Sequence, residues 1–407
     1  MSDQALVLRG ASIVDGTGAP ARLGTVVVDN GRIRAIDEDP PKGAAVVDLA
    51  GHTLLPGLID AHTHLGLLDI PAQYDGKTPA AVMAAQIFAN AGRLLDAGFT
   101  TARDVGGVDG GLAQAIEQGL VRGPHLYPSG PVLCQTGGHG DFGAPFHPHG
   151  TGVPGLSTAS LVCDGPDEVR RAARTALRRG ATQVKVCVSG GVISYTDSLD
   201  DTQFGVEELR AAVDEARARR TYVTAHAHTT PGIRNGLAAG IECFEHGTFL
   251  DEETVTAMAS AGVALVPTLA VLHVAHENWR EMGIPEDLLP RFAGVEDAMA
   301  ASLKLAFAAG IPIGSGSDHF GPAQSRFGLE LLLKARILGP MEAIVSATAT
   351  NARILRAVDR IGTIEAGKDA DLIAVDGDPL GDPELFDDPT RVTLVMQRGR
   401  IVKDLRS

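Results

Sequence analysis

The chain has 407 residues, 44% apolar and 21% charged, an ordinary globular profile with room for one large core and a companion domain. Its net charge of −15 and its lack of basic runs or aromatic platforms argue against nucleic-acid or anionic-membrane binding. No apolar stretch of about 18 residues suggests a membrane span. Met1–Arg9 shows no charged leader followed by an apolar run, and the four cysteines (Cys134, Cys163, Cys187, Cys243) fit no CxxC pattern. A cytoplasmic location is therefore expected.

The first fifty residues read as short β runs, Leu6–Leu8, Ala11–Val14, Thr25–Val28, Arg32–Ile36 and Val46–Leu49, separated by turns such as Asp29-Asn30-Gly31. The last fifty return to this style, with Asp371–Val375, then Val392–Gln397 and Arg400–Lys403 across Arg398-Gly399. Strand, glycine turn and strand at both ends predict a small β-sandwich domain from 1–53 and 359–407; two separate edge hairpins are the alternative. Between them, over 54–358, apolar runs at 54–59, 99–103, 125–130, 183–188, 222–226, 241–245, 263–267 and 311–316 alternate with helical stretches. Pro79–Ala97, Pro166–Arg179, Val206–Arg220 and Glu286–Ala309 are such stretches. Repeated βα units indicate an α/β fold with a parallel sheet, and eight of them predict a (β/α)8 TIM barrel. The connection 131–165, rich in Gly, Pro and His, is long enough to cover an active site.

In such a barrel the reacting groups sit at the C-terminal ends of the strands. The first run ends Asp60-Ala61-His62-Thr63-His64. Histidines two apart share one side of a strand and make half a site for zinc or a similar metal, although HxH pairs also occur on surfaces. In Gln183–Val188 the valines take one face and Lys185 projects from the other, into the barrel, where an unpaired ammonium is expensive to bury. The fifth and sixth runs end in Thr224-Ala225-His226-Ala227-His228 and Glu245-His246-Gly247, and the eighth in Gly316-Ser317-Asp318. Asp318 alone could be a helix cap. Four histidines, a lysine and an aspartate at five strand ends are better explained by one metal site than by five coincidences.

The chain resembles the amidohydrolase superfamily over nearly its whole length, through PGLIDAHTHLG (56–66), VKVCVSGG (184–191), HAH (226–228), EHG (245–247), GSD (316–318) and the tail 350–379. The resemblance implies a metal-dependent hydrolase of C–N bonds with two divalent ions, expected to be Zn²⁺. Lys185 would be N-carboxylated and bridge the two ions. One metal would take His62, His64, Lys185 and Asp318, and the other Lys185, His226 and His246, with a hydroxide between them. Asp318 would pass the proton from water to the departing amine, and His228 would stabilise the developing oxyanion.

Gln135–Phe142 and Ser189–Val192 resemble the branch of Xaa-Pro dipeptidases and imidazolonepropionase-like enzymes, which implies dipeptides or N-acyl amino acids as substrates. His139 would then bind the substrate carboxylate or carbonyl, with Tyr195, Arg103 and Arg326 as further pocket candidates. Alternatives are other amide-like substrates (a mycotoxin amide, carbamate or phenylurea), a mononuclear cyclic-amide hydrolase of the imidazolonepropionase type, or a non-catalytic scaffold. Lys185 speaks against the mononuclear case, and the full ligand set against the scaffold. A homo-oligomer is expected, since relatives often form one; no nucleic-acid or membrane partner is expected.

Overall fold

The structure, a computed structural model, describes residues 4–406 apart from 40, 69–77, 143–151, 154, 195 and 322–323. The runs expected at Leu6–Leu8 and Ala11–Val14 form one strand, β1 (Leu6–Ile13), whose register with β2 (Arg22–Asp29) shifts between Arg9 and Ala11. Gly10 lies at that shift with φ 81, a conformation open to glycine, so the strand bulges rather than breaks. After β3 (Arg32–Ile36) and β4 (Ala45–Asp48) comes β5 (His52–Pro56), which pairs in parallel with β1. The residues expected to start the first inner strand thus partly belong to the terminal sheet. The inner strand opens one residue beyond Gly57, where a Cβ would fall 2.1 Å from Thr100 Oγ1.

The middle of the chain supplies β6 (Leu58–Thr63), β7 (Phe99–Asp104), β8 (His125–Pro128), β9 (Val132–Cys134), β10 (Ser160–Val162), β11 (Val184–Cys187), β12 (Val223–Thr229), β13 (Cys243–Phe249) and β14 (Ala264–Val266). These form two parallel sheets, ordered β6-β7-β8 and β10-β9-β11-β12-β13-β14, so the fold is α/β with parallel sheets. Two links join them. On one side, Thr182 N donates to Pro128 O (2.8 Å) at the edge between β8 and β11. On the other, segment 311–318 lies between β14 and β6: Ile313 bridges Leu265 in parallel, Ala61 N donates to Ser315 O (2.9 Å) and Asp318 N to His62 O (2.7 Å).

Parallel neighbours require crossovers, and helices provide them. Helix Gly165–Arg178 starts with Pro166 and carries Asp167 and Glu168 in its first turn and Arg178 in its last, in keeping with the helix dipole. Its buried Val169, Ala172 and Ala173 meet the core beside Leu209, Ala212, Val213 and Ala216 of helix Val206–Ala218. The helix expected over Glu286–Ala309 is two elements, a 3₁₀ segment Glu286–Phe292 and an α-helix Val295–Ala308. Pro290 lacks the amide donor and Gly294 turns left-handed at φ 74, which together divide it. The 131–165 connection contains the short strands β9 and β10.

The last strands, β15 (Leu372–Asp376), β16 (Val392–Gln397) and β17 (Arg400–Asp404), join β1–β5 in a single eight-stranded sheet through β15 and β5. Alternation gives this sheet two apolar faces. Leu54, Leu372, Ala374, Leu394 and Met396 pack with Leu8, Val26 and Ile33, whereas Leu55, Ile373, Val375, Val392 and Val395 pack on Ile87 and Leu94 of helix Ala80–Asp96. Among the described residues no helix is long and apolar enough to cross a membrane.

Candidate metal centre and active site

The same alternation decides which side chains enter the space enclosed by β6–β14. Val184, Val186 and Val188 turn outward into the helix-facing core, and the buried Lys185 turns inward to line a cavity. His62 on β6 and His64 just beyond its end turn to the same inner side, as do His226 and His228 on β12, and all four line that cavity with His246, His139 and Asp318.

Asp318 is the hub. Its Oδ1 lies 3.2 Å from His62 Nε2 and 3.1 Å from His64 Nε2, and its Oδ2 lies 3.8 Å from His246 Nδ1. His226 Nδ1 lies 2.9 Å from His246 Nε2. Two groups of side chains, His62/His246/Asp318 and His226/His228/His246, offer ligand atoms within 4.8 Å of one another. Strict strand alternation would send Glu245 and His246 to opposite sides. The backbone instead turns left-handed at His246 (φ 69), and likewise at Asp318 (φ 54). Such conformations are uncommon for residues with a Cβ and cost of order 1–3 kcal/mol, so they persist where the surroundings enforce them.

The imidazoles are held from behind. His64 Nδ1 meets Gly106 O (2.8 Å), His246 Nδ1 meets Thr268 Oγ1 (2.7 Å), His228 Nδ1 meets Thr248 Oγ1 (2.7 Å) and His226 Nε2 meets Gly190 O (3.0 Å). His62 Nδ1 meets a carboxylate, Glu245 Oε2, at 2.7 Å. Glycines let the backbone crowd these rings: a Cβ on Gly316 would fall 2.4 Å from His62 Cβ, and one on Gly191 would fall 2.2 Å from the His139 ring.

Burial dominates the electrostatics. It holds His226 and His246 well below the ordinary histidine range and pushes His228 to about 3 and His139 to about 4, so these rings are neutral near pH 7. It also lowers Lys185, whose amine makes no hydrogen bond among the described residues. Burial opposes the Asp318 charge as well, but the adjoining His62 and His64 outweigh it and hold the carboxyl well below its usual range.

His139 stacks on His226 with ring centroids 4.0 Å apart, and its Nδ1 lies 2.5 Å from Ser194 Oγ. The apolar part of the lining comes from Leu67, Phe142, Val271, Leu272, Met299 and Phe320. Two pocket candidates lie elsewhere. Arg103 is wholly buried and pairs with Glu245 (2.7 Å), behind His62 rather than among the cavity-lining residues. Arg326 pairs with Asp387 and with Glu277 (3.5 Å). Tyr195 lies outside the described residues. Glu245, Thr248, Thr268 and Ser194 had not been singled out; only Glu245, inside the EHG triplet, left a sequence signal.

An inward cluster of imidazoles, one carboxylate and one amine at the ends of parallel strands is the candidate active site, and the chain belongs to the amidohydrolase family, whose model matches residues 53–402. It is a hydrolytic enzyme acting on C–N bonds. Among characterised relatives it is 32% identical to ochratoxinase from Aspergillus niger over 98% of this chain and 86% of the relative. Among solved structures it is similar to a prolidase in complex with N-methylphosphonate-L-proline (36% identity, TM-score 0.93, 98% of this chain and 100% of that one). A Xaa-Pro dipeptidase with bound methionine in its active site is also similar (31% identity, TM-score 0.87, 98% and 100%).

Proposed function

We propose that the protein hydrolyses the amide bond of dipeptides or N-acyl amino acids with two divalent metal ions, zinc by preference, held by His62, His64, Lys185, His226, His246 and Asp318. The observation that carries the reading is the convergence of these six side chains from five chain segments on one cavity. The donor set fits: imidazoles with their remaining nitrogens tied back, His226 and His246 among them held neutral by burial, and a carboxylate that stays ionised, are the ligands such cations select. The buried Lys185 amine fits too. In its neutral form it would add CO2 and release a proton, and the resulting carbamate anion would help hold the cations in place of a stranded ammonium.

When bound, the two ions would acidify water toward neutrality and polarise the substrate carbonyl. The chain's residues complete the reaction. Asp318, ionised at rest, accepts a proton from the attacking water and returns it to the nitrogen of the breaking bond, so an acid and a free amine leave. Neutral His228, with Nδ1 on Thr248, presents Nε2 to the developing oxyanion. His139, fixed by Ser194, meets the substrate carboxylate or carbonyl, and the apolar lining holds the side chain. The mixture of apolar lining residues with a few convergent polar groups suits a ligand of that kind. A mycotoxin amide is the second reading, favoured by the likeness to ochratoxinase.

We take the inner strands to close as a (β/α)8 barrel through the 311–318 segment, with the terminal sheet folded as a β-sandwich. The barrel then begins at Gly57, since β5 belongs to the sheet. The test is turnover of a dipeptide, N-acyl-amino-acid and mycotoxin-amide library by metal-loaded protein. Release of a free amino acid is the expected outcome. Cleavage confined to carbamates, ureas or lactones would refute the amide assignment.

A further inference from the structure

The other clustered imidazoles are tied back by neutral groups, and His62 alone by a carboxylate. That carboxylate is itself gripped. Glu245 Oε1 accepts from Arg103 Nη2 (2.7 Å) and from Thr224 Oγ1. The same guanidinium donates through Nε to the carbonyl of Ala61, the residue before His62 (2.5 Å), and through Nη1 to Tyr222 Oη (3.2 Å). Arg103 and Glu245 are wholly buried, and a buried pair is costly unless its donors and acceptors are satisfied; nearly all of these are.

We propose that Glu245, clamped by Arg103, is a positioning residue that fixes His62 as the Nδ1–H tautomer and makes the His62 metal position the tighter of the two. The inference rests on the metal reading above. An acceptor-only carboxylate 2.7 Å from Nδ1 requires the hydrogen there, which leaves Nε2, 3.2 Å from Asp318 Oδ1, as the nitrogen that would meet a cation held between the two. One guanidinium sets both the backbone position of His62, through Ala61, and its ring orientation, through Glu245. A lysine, with one compact ammonium, could not hold both contacts. A carboxylate partner also raises imidazole basicity, and loss of such a partner typically weakens metal binding about 10–100-fold.

The experiment is competition of metal-free wild-type, Glu245→Gln and Arg103→Lys proteins with a chromophoric zinc chelator, with nitrogen-15 NMR of the histidine side chains in the zinc-loaded wild type. In the expected result Glu245→Gln loses about 10–100-fold in affinity at one position of two, and the NMR shows His62 protonated at Nδ1. Where Glu245→Gln alone fails to fold, the paired Arg103→Met, Glu245→Gln variant removes both charges together and is titrated in its place. Two ions bound by a folded variant with wild-type affinity, or His62 protonated at Nε2, would overturn the proposal alone. A wild type that takes up no zinc overturns the metal reading with it.

Discussion

Replacing Lys185 by methionine should make the metal-free protein more stable and the enzyme inactive. The lysine is 3% exposed, burial depresses its amine, and no hydrogen bond to it forms among the described residues. Burying a polar group short of partners costs up to about 1–3 kcal/mol, less here because the lysine borders the open cavity, and methionine keeps a similar length and volume without that burden. The attraction of Glu245 and Asp318 for the ammonium offsets part of the gain, so the increase in unfolding free energy should lie toward the lower end of that range. Metal uptake should fall below two ions per chain and turnover should be lost, with short carboxylic acids restoring part of it. Urea denaturation of chelated samples measures the stability, and metal analysis with an activity assay measures the rest. A methionine variant less stable than wild type, or one that holds two ions and full activity, would refute the reasoning.

Asp318→Asn should retain metal and fold but lose about 10²–10⁴-fold in kcat; turnover near wild type would remove Asp318 from proton transfer. Gly316→Ala should destabilise the protein by about 1–3 kcal/mol or more and weaken metal binding, because the new methyl falls 2.4 Å from His62 Cβ and 2.9 Å from its amide nitrogen; calorimetric melting with metal titration measures both. Asp371 supplies a pH test away from the site: burial raises it to about 6 from 3.8. The native state therefore holds its proton where the unfolded chain has lost it, so this group's contribution falls as pH rises from about 4 to 6 and is flat above, by up to about 3 kcal/mol. Asp371→Asn, which keeps an acceptor for Arg398 N–H, should flatten that part of the stability curve; an unchanged curve would reject the assignment.

The parts of the site legible in the sequence are those that local geometry dictates. HxH and HAH put pairs on one side of a strand because the period is two, and Lys185 stands out because every neighbour on its strand is apolar. His246 was found only as a strand-end histidine; its entry into the cavity depends on a left-handed residue that alternation does not contain. Arg103 shows the limit more clearly. Period two points it inward, but whether an inward residue lies at the mouth or behind the ligands depends on the depth at which neighbouring strands register. Arg326 is drawn off by Asp387, 61 residues away, a contact no local pattern carries. The division of the 286–309 helix was signalled by Pro290 and Gly294, and the parallel entry of β5 into the terminal sheet was not, since pairing partners are set by the whole topology.

The central claim is that amide cleavage needs two ions in this cavity. It is tested most directly by titrating zinc into the chelated enzyme while following hydrolysis of one cleaved dipeptide or N-acyl amino acid. Activity that rises to a break at two equivalents per chain is the predicted result. A break at one equivalent, or full activity in the chelated protein, would contradict it.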